Sequence, residues 1–89
     1  MTEYRLSDHA KEEMRRRDIA ESEVAQVLAG PEQREVIREG RAVFPSRSKS
    51  GSPPRVYLLR VSVDIDCDPP VVVTVYRTSK VAKYWRTDL

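Results

Sequence analysis

Cysteine is nearly absent. Cys67 is the only one in 89 residues, so no internal disulfide can staple the fold, and the chain suits a reducing, cytoplasmic compartment. Histidine is as scarce. With His9 alone beside Cys67, the usual His/Cys structural zinc sites cannot be assembled within one chain, and neither a metal nor another cofactor is expected. Long hydrophobic runs are missing as well. Stretches such as Val71 to Val73 are far too short to cross a membrane, and Met1 to Ser7 has no apolar region of the kind found in a secretory signal. Nor is there a strong charge of one sign: 16 basic against 14 acidic residues leave a net charge of +2. That balance lacks the footprint of a strongly electrostatic nucleic-acid binder, although local clustering can still build a basic patch.

What is present fits a small globular domain. Hydrophobic residues make up 39% of the chain and charged residues 34%, so the chain can bury a core. Aromatic and β-branched residues crowd into the second half, where they favour a sheet. There is no internal repeat and no domain boundary, which predicts a single domain over residues 1–89 with its core in 4–86.

Two helices are expected first. Leu6, Ala10 and Met14 recur at helical spacing and form one apolar stripe, with Ser7 or Asp8 as the cap. His9, Glu13 and Arg16 fall beside that stripe, and Asp18 suits the left-handed exit. A second helix runs from Ala20 or Glu21 to Leu28, with Val24, Val27 and Leu28 on its apolar face and Gly30-Pro31 as its stop. A helix-turn-helix that reads DNA wants a basic second helix. This one carries Glu21, Ser22, Glu23 and Gln26, which excludes that function.

From Glu32 the period changes to that of a sheet. Glu35 to Arg38 reads as a strand, Glu39-Gly40 as a turn, Arg41 to Phe44 as the returning strand, and Pro45 to Pro54 as a loop. Arg55 to Ile65 is the clearest strand. Tyr57, Leu59, Val61 and Val63 share one face; Leu58, Arg60, Ser62 and Asp64 share the other. Asp66 to Pro70 is a turn, Val71 to Arg77 a central strand, and Ser79 to Arg86 a short helix or a last strand. The predicted order is α-α-β-β-β-β: an α+β fold with two N-terminal helices on a mainly antiparallel sheet of about four strands.

Several groups carry potential chemistry. His9 is the only side chain whose ordinary pKa lies near neutrality, so it is either a general acid or base or a histidine that finishes the helix–sheet packing. Arg60 interrupts an apolar strand and needs a partner: a phosphate, which suits its planar fork, or an internal carboxylate such as Asp64 or Glu13. Tyr76, Arg77, Thr78 and Ser79 gather at a strand end, where they either bind a phosphate or are simply solvated. Arg16, Arg17, Arg47, Lys49 and Arg55 either extend a basic surface for a nucleic-acid backbone or form ordinary solvated surface. The Asp64, Asp66, Asp68 series fails as a calcium loop, because Pro69 and Val75 stand where glycine and glutamate are required.

Ser7-Asp8-His9-Ala10, then Met14, Arg17 and Ile19, then Val24 and Leu28, resemble the opening pattern of the bacterial domain-of-unknown-function family DUF4258. Tyr57 to Val61, Val73 to Ser79 and the closing Lys83-Tyr84-Trp85 fit the same pattern, so the resemblance covers roughly Tyr4 to Arg86. Asp18 departs from it, standing where the family usually has glycine. The family looks related to RelE and BrnT type toxins, among metal-independent ribonucleases.

The resemblance implies a RelE- or barnase-like fold, RNA as substrate, an antitoxin protein as partner, and a site made of His9, Arg17, Arg60, Tyr76, Thr78 and Ser79. Arg16, Arg47, Lys49, Arg55 and Arg77 would flank it on the RNA. In the implied reaction an RNA 2′-hydroxyl attacks its own phosphate, with His9 as acid or base and Arg60 stabilising charge. The expected geometry is a cleft with His9 on one wall and Arg60 with the Tyr76 to Ser79 strand end on the other. The alternative is a module that binds RNA or protein without cleaving. A third reading is a structural or dimerising domain, so both a monomer and a homodimer are compatible with the sequence.

Overall fold

A computed structural model describes residues 1–85. Its elements are β1 (Arg5–Leu6), α1 (Asp8–Arg17), α2 (Glu21–Ala29), β2 (Glu35–Arg38), β3 (Arg41–Ser50), β4 (Arg55–Asp64), β5 (Val71–Thr78) and α3 (Val81–Tyr84). The five strands form one sheet in the order β1-β5-β4-β3-β2, antiparallel except for the β1–β5 pair. The fold is therefore α+β, as the residue patterns indicate.

Each helix has a local cause. In α1 the Ser7 hydroxyl accepts a bond from the Ala10 N–H at 3.0 Å, which satisfies one of the free donors of the first turn. Asp8 lies at the positive end of α1 and Arg15, Arg16 and Arg17 at its negative end, as the helix dipole favours. The chain leaves through Asp18 in the left-handed conformation (φ 55°), and the Ile19 N–H closes back on the Met14 carbonyl at 2.8 Å. In α2 the cap is reversed: the Glu23 carboxylate accepts from the Ala20 N–H at 2.9 Å.

Both helices lie on one face of the sheet. Ala10, Met14 and Ile19, with Val24, Val27 and Leu28, pack against Ala42, Phe44, Leu59, Val61, Val63, Val72 and Val75. The alternation expected in β4 holds, since Leu59, Val61 and Val63 are all in this core. The other face carries a second, smaller layer. Val43, Pro45 and Leu58 are buried there outside the main core, and α3 lies against β4 on the same side, with Tyr84 over Arg60.

Three expectations need correction. Leu6 does not start α1; it belongs to a two-residue strand, β1, that pairs with Val72 of β5. The sheet thus has five strands rather than four. The segment Pro45 to Ser50 is not loop, because β3 continues through it in register with β4. Proline is tolerated there for a geometric reason. The Arg47 N–H points to the outer edge of β3, where it meets Glu32 at 2.7 Å. Pro45, two residues earlier, has the same orientation, so its missing N–H falls on an edge beyond the last β2 pairing, at Val43. Within the expected segment Ser79 to Arg86, the described residues form the short helix α3, and Arg86 lies outside the described residues.

Candidate functional site

Strand alternation sorts the polar residues between the two faces. Arg60 is paired with Tyr76 across β4 and β5 and with Pro45 across β4 and β3, all on the face away from α1 and α2. Its guanidinium donates a hydrogen bond to the Tyr76 hydroxyl and reaches a Glu35 carboxylate oxygen at 3.3 Å. The Tyr84 ring lies 4.5 Å from it and shares the cation, while the Tyr76 ring, 5.5 Å away, meets it through its hydroxyl end. Tyr76 and Tyr84 meet edge to face, with ring centroids 6.2 Å apart. The Arg60 side chain is only 11% exposed, whereas Glu35 is 38% exposed. The Arg60 Nε is buried without a partner among the described residues, so this guanidinium is desolvated and incompletely satisfied.

His9 does not join this cluster. It is exposed on α1, and α1 packs on the opposite face of the sheet. The expected cleft between His9 and Arg60 is therefore not formed, because the sheet stands between them. Neither internal carboxylate expected for Arg60 is its partner. Asp64 is bound by Arg41 at 2.7 Å, and Glu13 by Arg16 and Arg17.

The strand-end group is split in the same way. Tyr76 and Thr78 lie on the Arg60 face. Arg77 lies opposite Leu59 on the helix face, where it is bonded to Glu23 of α2. Glu23 thus joins the start of α2 to β5, and Arg77 acts as a strut between helix and sheet. The Thr78 hydroxyl accepts from the Lys80 N–H at 3.1 Å and shapes the entry to α3. Ser79 is exposed beyond the strand.

Among the basic residues, Arg16 and Arg17 both hold Glu13, at 2.6 Å and 2.8 Å. Their hydrogen bonds, Arg17 first, hold the Glu13 carboxyl below its usual range. Arg47 does the same to Glu32 and carries the Trp85 ring 4.3 Å from its guanidinium. Lys49 and Arg55 are exposed near the tip of the β3–β4 hairpin. Arg47 and Lys49 share the Arg60 face, which therefore interleaves cations with Tyr76, Tyr84 and Trp85. Among the described residues no group of three or more His, Cys, Asp or Glu side chains is placed to hold a metal ion.

Glu35 and Tyr84 are the cluster members that sequence reasoning missed. Glu35 was legible only as a strand residue; its position follows from its pairing with Val43, which shares its face with Pro45 and Arg60. Tyr84 sits in the closing Lys83-Tyr84-Trp85 motif, but nothing in that motif says which arginine it meets.

The family model for the domain of unknown function DUF4258 matches residues 6–77. The chain belongs to that family. The matched region runs from β1 to Arg77 of β5 and so includes the helical pair and Arg60, while Tyr84 and Trp85 lie beyond it. Comparison with curated proteins and with solved structures returned no match.

Proposed function

We propose that this member of the DUF4258 family acts on RNA as a small, toxin-like, metal-independent endoribonuclease, and that its reacting face is the α3 side of the sheet. The observation that carries the reading is Arg60: a nearly buried guanidinium with an unpaired Nε, flanked by a tyrosine hydroxyl and a half-exposed carboxylate. A phosphate is the ligand that suits such a group, since its oxygens match the planar fork and its charge meets a cation already stripped of water.

In this reading Glu35 takes the role first expected of His9. It removes the proton from a 2′-hydroxyl, whose oxygen attacks the adjacent phosphorus. Arg60 neutralises the charge that builds on the non-bridging oxygens. The bond from phosphorus to the 5′-oxygen breaks, and that oxygen takes a proton from the Tyr76 hydroxyl. The products are a 2′,3′-cyclic phosphate and a 5′-hydroxyl, and exchange with water restores both side chains. Arg47 and Lys49, which share the Arg60 face, would hold the flanking backbone, whereas Arg55 has the orientation of Leu59 and falls outside this site. Arg16, Arg17 and Arg77 belong to the helix side: Arg16 and Arg17 hold Glu13 of α1, and Arg77, whose Nε is also buried without a partner among the described residues, ties β5 to Glu23 of α2 away from the reacting face. A toxin of this kind works in the cytoplasm and requires an antitoxin protein that restrains it.

The test is incubation of end-labelled single-stranded RNA with the protein in EDTA. Scission with cyclic-phosphate ends, lost in Glu35→Gln and on RNA lacking the 2′-hydroxyl, supports the enzyme. A second reading, RNA binding without cleavage, is favoured by the bond that Glu35 already makes to Arg60. Retention of RNA on the protein without scission would establish that reading and remove the catalytic one.

A further inference from the structure

Two consecutive aromatic residues, Tyr84 and Trp85, each lie over an arginine, and the two arginines come from adjacent strands. Tyr84 is over Arg60 of β4, and Trp85 is over Arg47 of β3. Arg60 is opposite Pro45 and Arg47 is opposite Leu58, so the two arginines are diagonal neighbours on one face. Each is pinned from elsewhere. Arg47 is held by Glu32 at 2.8 Å, and Arg60 by Tyr76 and Glu35. The rings are therefore backed by fixed cations while both residues stay partly exposed, and the Lys83 Nζ, 5.2 Å from the Tyr84 ring on a flexible stem, is the group a base would displace there. Beside Arg47 opens a cavity of about 380 Å³ lined by Glu32, Arg47, Ser48, Lys49 and Val56. Val56 is 43% exposed and is paired with Lys49, so this cavity has an apolar wall with a cation at its rim.

We infer that Tyr84 and Trp85 form a stacking platform for two unpaired bases, which makes single-stranded RNA the substrate class. The inference rests on the proposed action on RNA and adds what that reading leaves open. A ring face accepts any base, and an arginine next to it supplies charge for the backbone. Bases inside a duplex are already stacked and cannot use such a surface. Arg60 belongs both to the platform and to the proposed phosphate site, so the stacked bases would lie next to the reacting phosphate. The cavity beside Arg47, which Trp85 does not line, would take the next nucleotide beyond the two stacked bases, against Val56 and with Lys49 towards the backbone.

Trp85 is the only tryptophan in the chain, so its fluorescence reports on the platform directly. The full chain is titrated with 2′-O-methyl hexauridylate, which cannot be cleaved through its 2′ position. Saturable quenching of Trp85 emission is expected. Binding to a fluorescein-labelled copy, read by anisotropy, should weaken about ten-fold in each of Tyr84→Leu and Trp85→Leu and be largely kept in Trp85→Phe. A blunt, fully paired RNA duplex should neither quench nor compete. If the oligonucleotide binds with no change in Trp85 emission and both leucine variants bind like the parent, the platform is wrong and the action on RNA stands. Equal quenching by the duplex also overturns it. If no RNA binds, both proposals fall together. Should a leucine variant lose its fold, the parent's quenching and the phenylalanine variant decide.

Discussion

At the residue scale, the acidic partners of the arginines set how the protein responds to pH. Glu13, Glu32 and Asp64 have carboxyls held below their usual range by hydrogen bonds from Arg17 and Arg16, Arg47 and Arg41. A carboxylate depressed in the folded state contributes stability that is present above its unfolded pKa and lost as pH falls through its folded value. Urea unfolding followed from roughly pH 7 down to pH 3 should therefore show stability falling across the acid limb. Glu13→Gln should be less stable than the parent at neutral pH and should show a shallower acid limb; unchanged slopes would remove Glu13 from the account. Gly40 gives a second residue-scale test. It sits at φ +83° in the β2–β3 turn, and an added Cβ would come within 2.9 Å of Asp66 Oδ2. Gly40→Ala should cost about 1–2 kcal/mol through the left-handed backbone, before any cost of the close contact.

At the element scale, much was legible because its causes are local. The two helices follow from the Ala10–Met14 and Val24–Leu28 spacings with a serine cap and a Gly-Pro stop, and all of these lie close together in sequence. Ser7→Ala should remove about 1 kcal/mol, read as a drop in Tm of roughly 4–8 °C for a domain of this size, because the hydroxyl accepts the Ala10 N–H. The elements that escaped sequence reasoning depend on distant partners. β1 has two residues and exists only because Val71 and Val72 of β5 accept it as a parallel neighbour. The outer half of β3 looked like loop because Pro45 breaks a strand unless its missing donor faces a free edge, and only the short length of β2 provides that edge. Leu58 tests the second layer: it is fully buried but outside the main core. Leu58→Ala should cost about 2–5 kcal/mol, as for a core leucine, if Val43, Pro45 and α3 truly close that face.

At the scale of the whole molecule, the decisive fact is which face the helices cover. The alternation of β4 put Arg60 apart from Leu59 and Val61 from the start, and this was readable in the sequence. What could not be read was that α1 and α2 would both take the Leu59 face, placing His9 on one side of the sheet and Arg60 on the other. That choice depends on the summed packing of two helices on five strands, and no short motif records it. It also gathers Glu35, Tyr76 and Tyr84, from three different elements, and Trp85, the residue that follows α3, around Arg60 and Arg47. The central claim is that function lies on this α3 face. The most direct measurement compares Arg60→Gln with His9→Ala for cleavage of single-stranded RNA in EDTA, with thermal unfolding confirming that both variants fold. The account predicts a loss of a hundred-fold or more, on the order of that for removing a transition-state donor, in Arg60→Gln and near-parent activity in His9→Ala. Loss in His9→Ala with activity kept in Arg60→Gln would contradict it and move the site to the helix side.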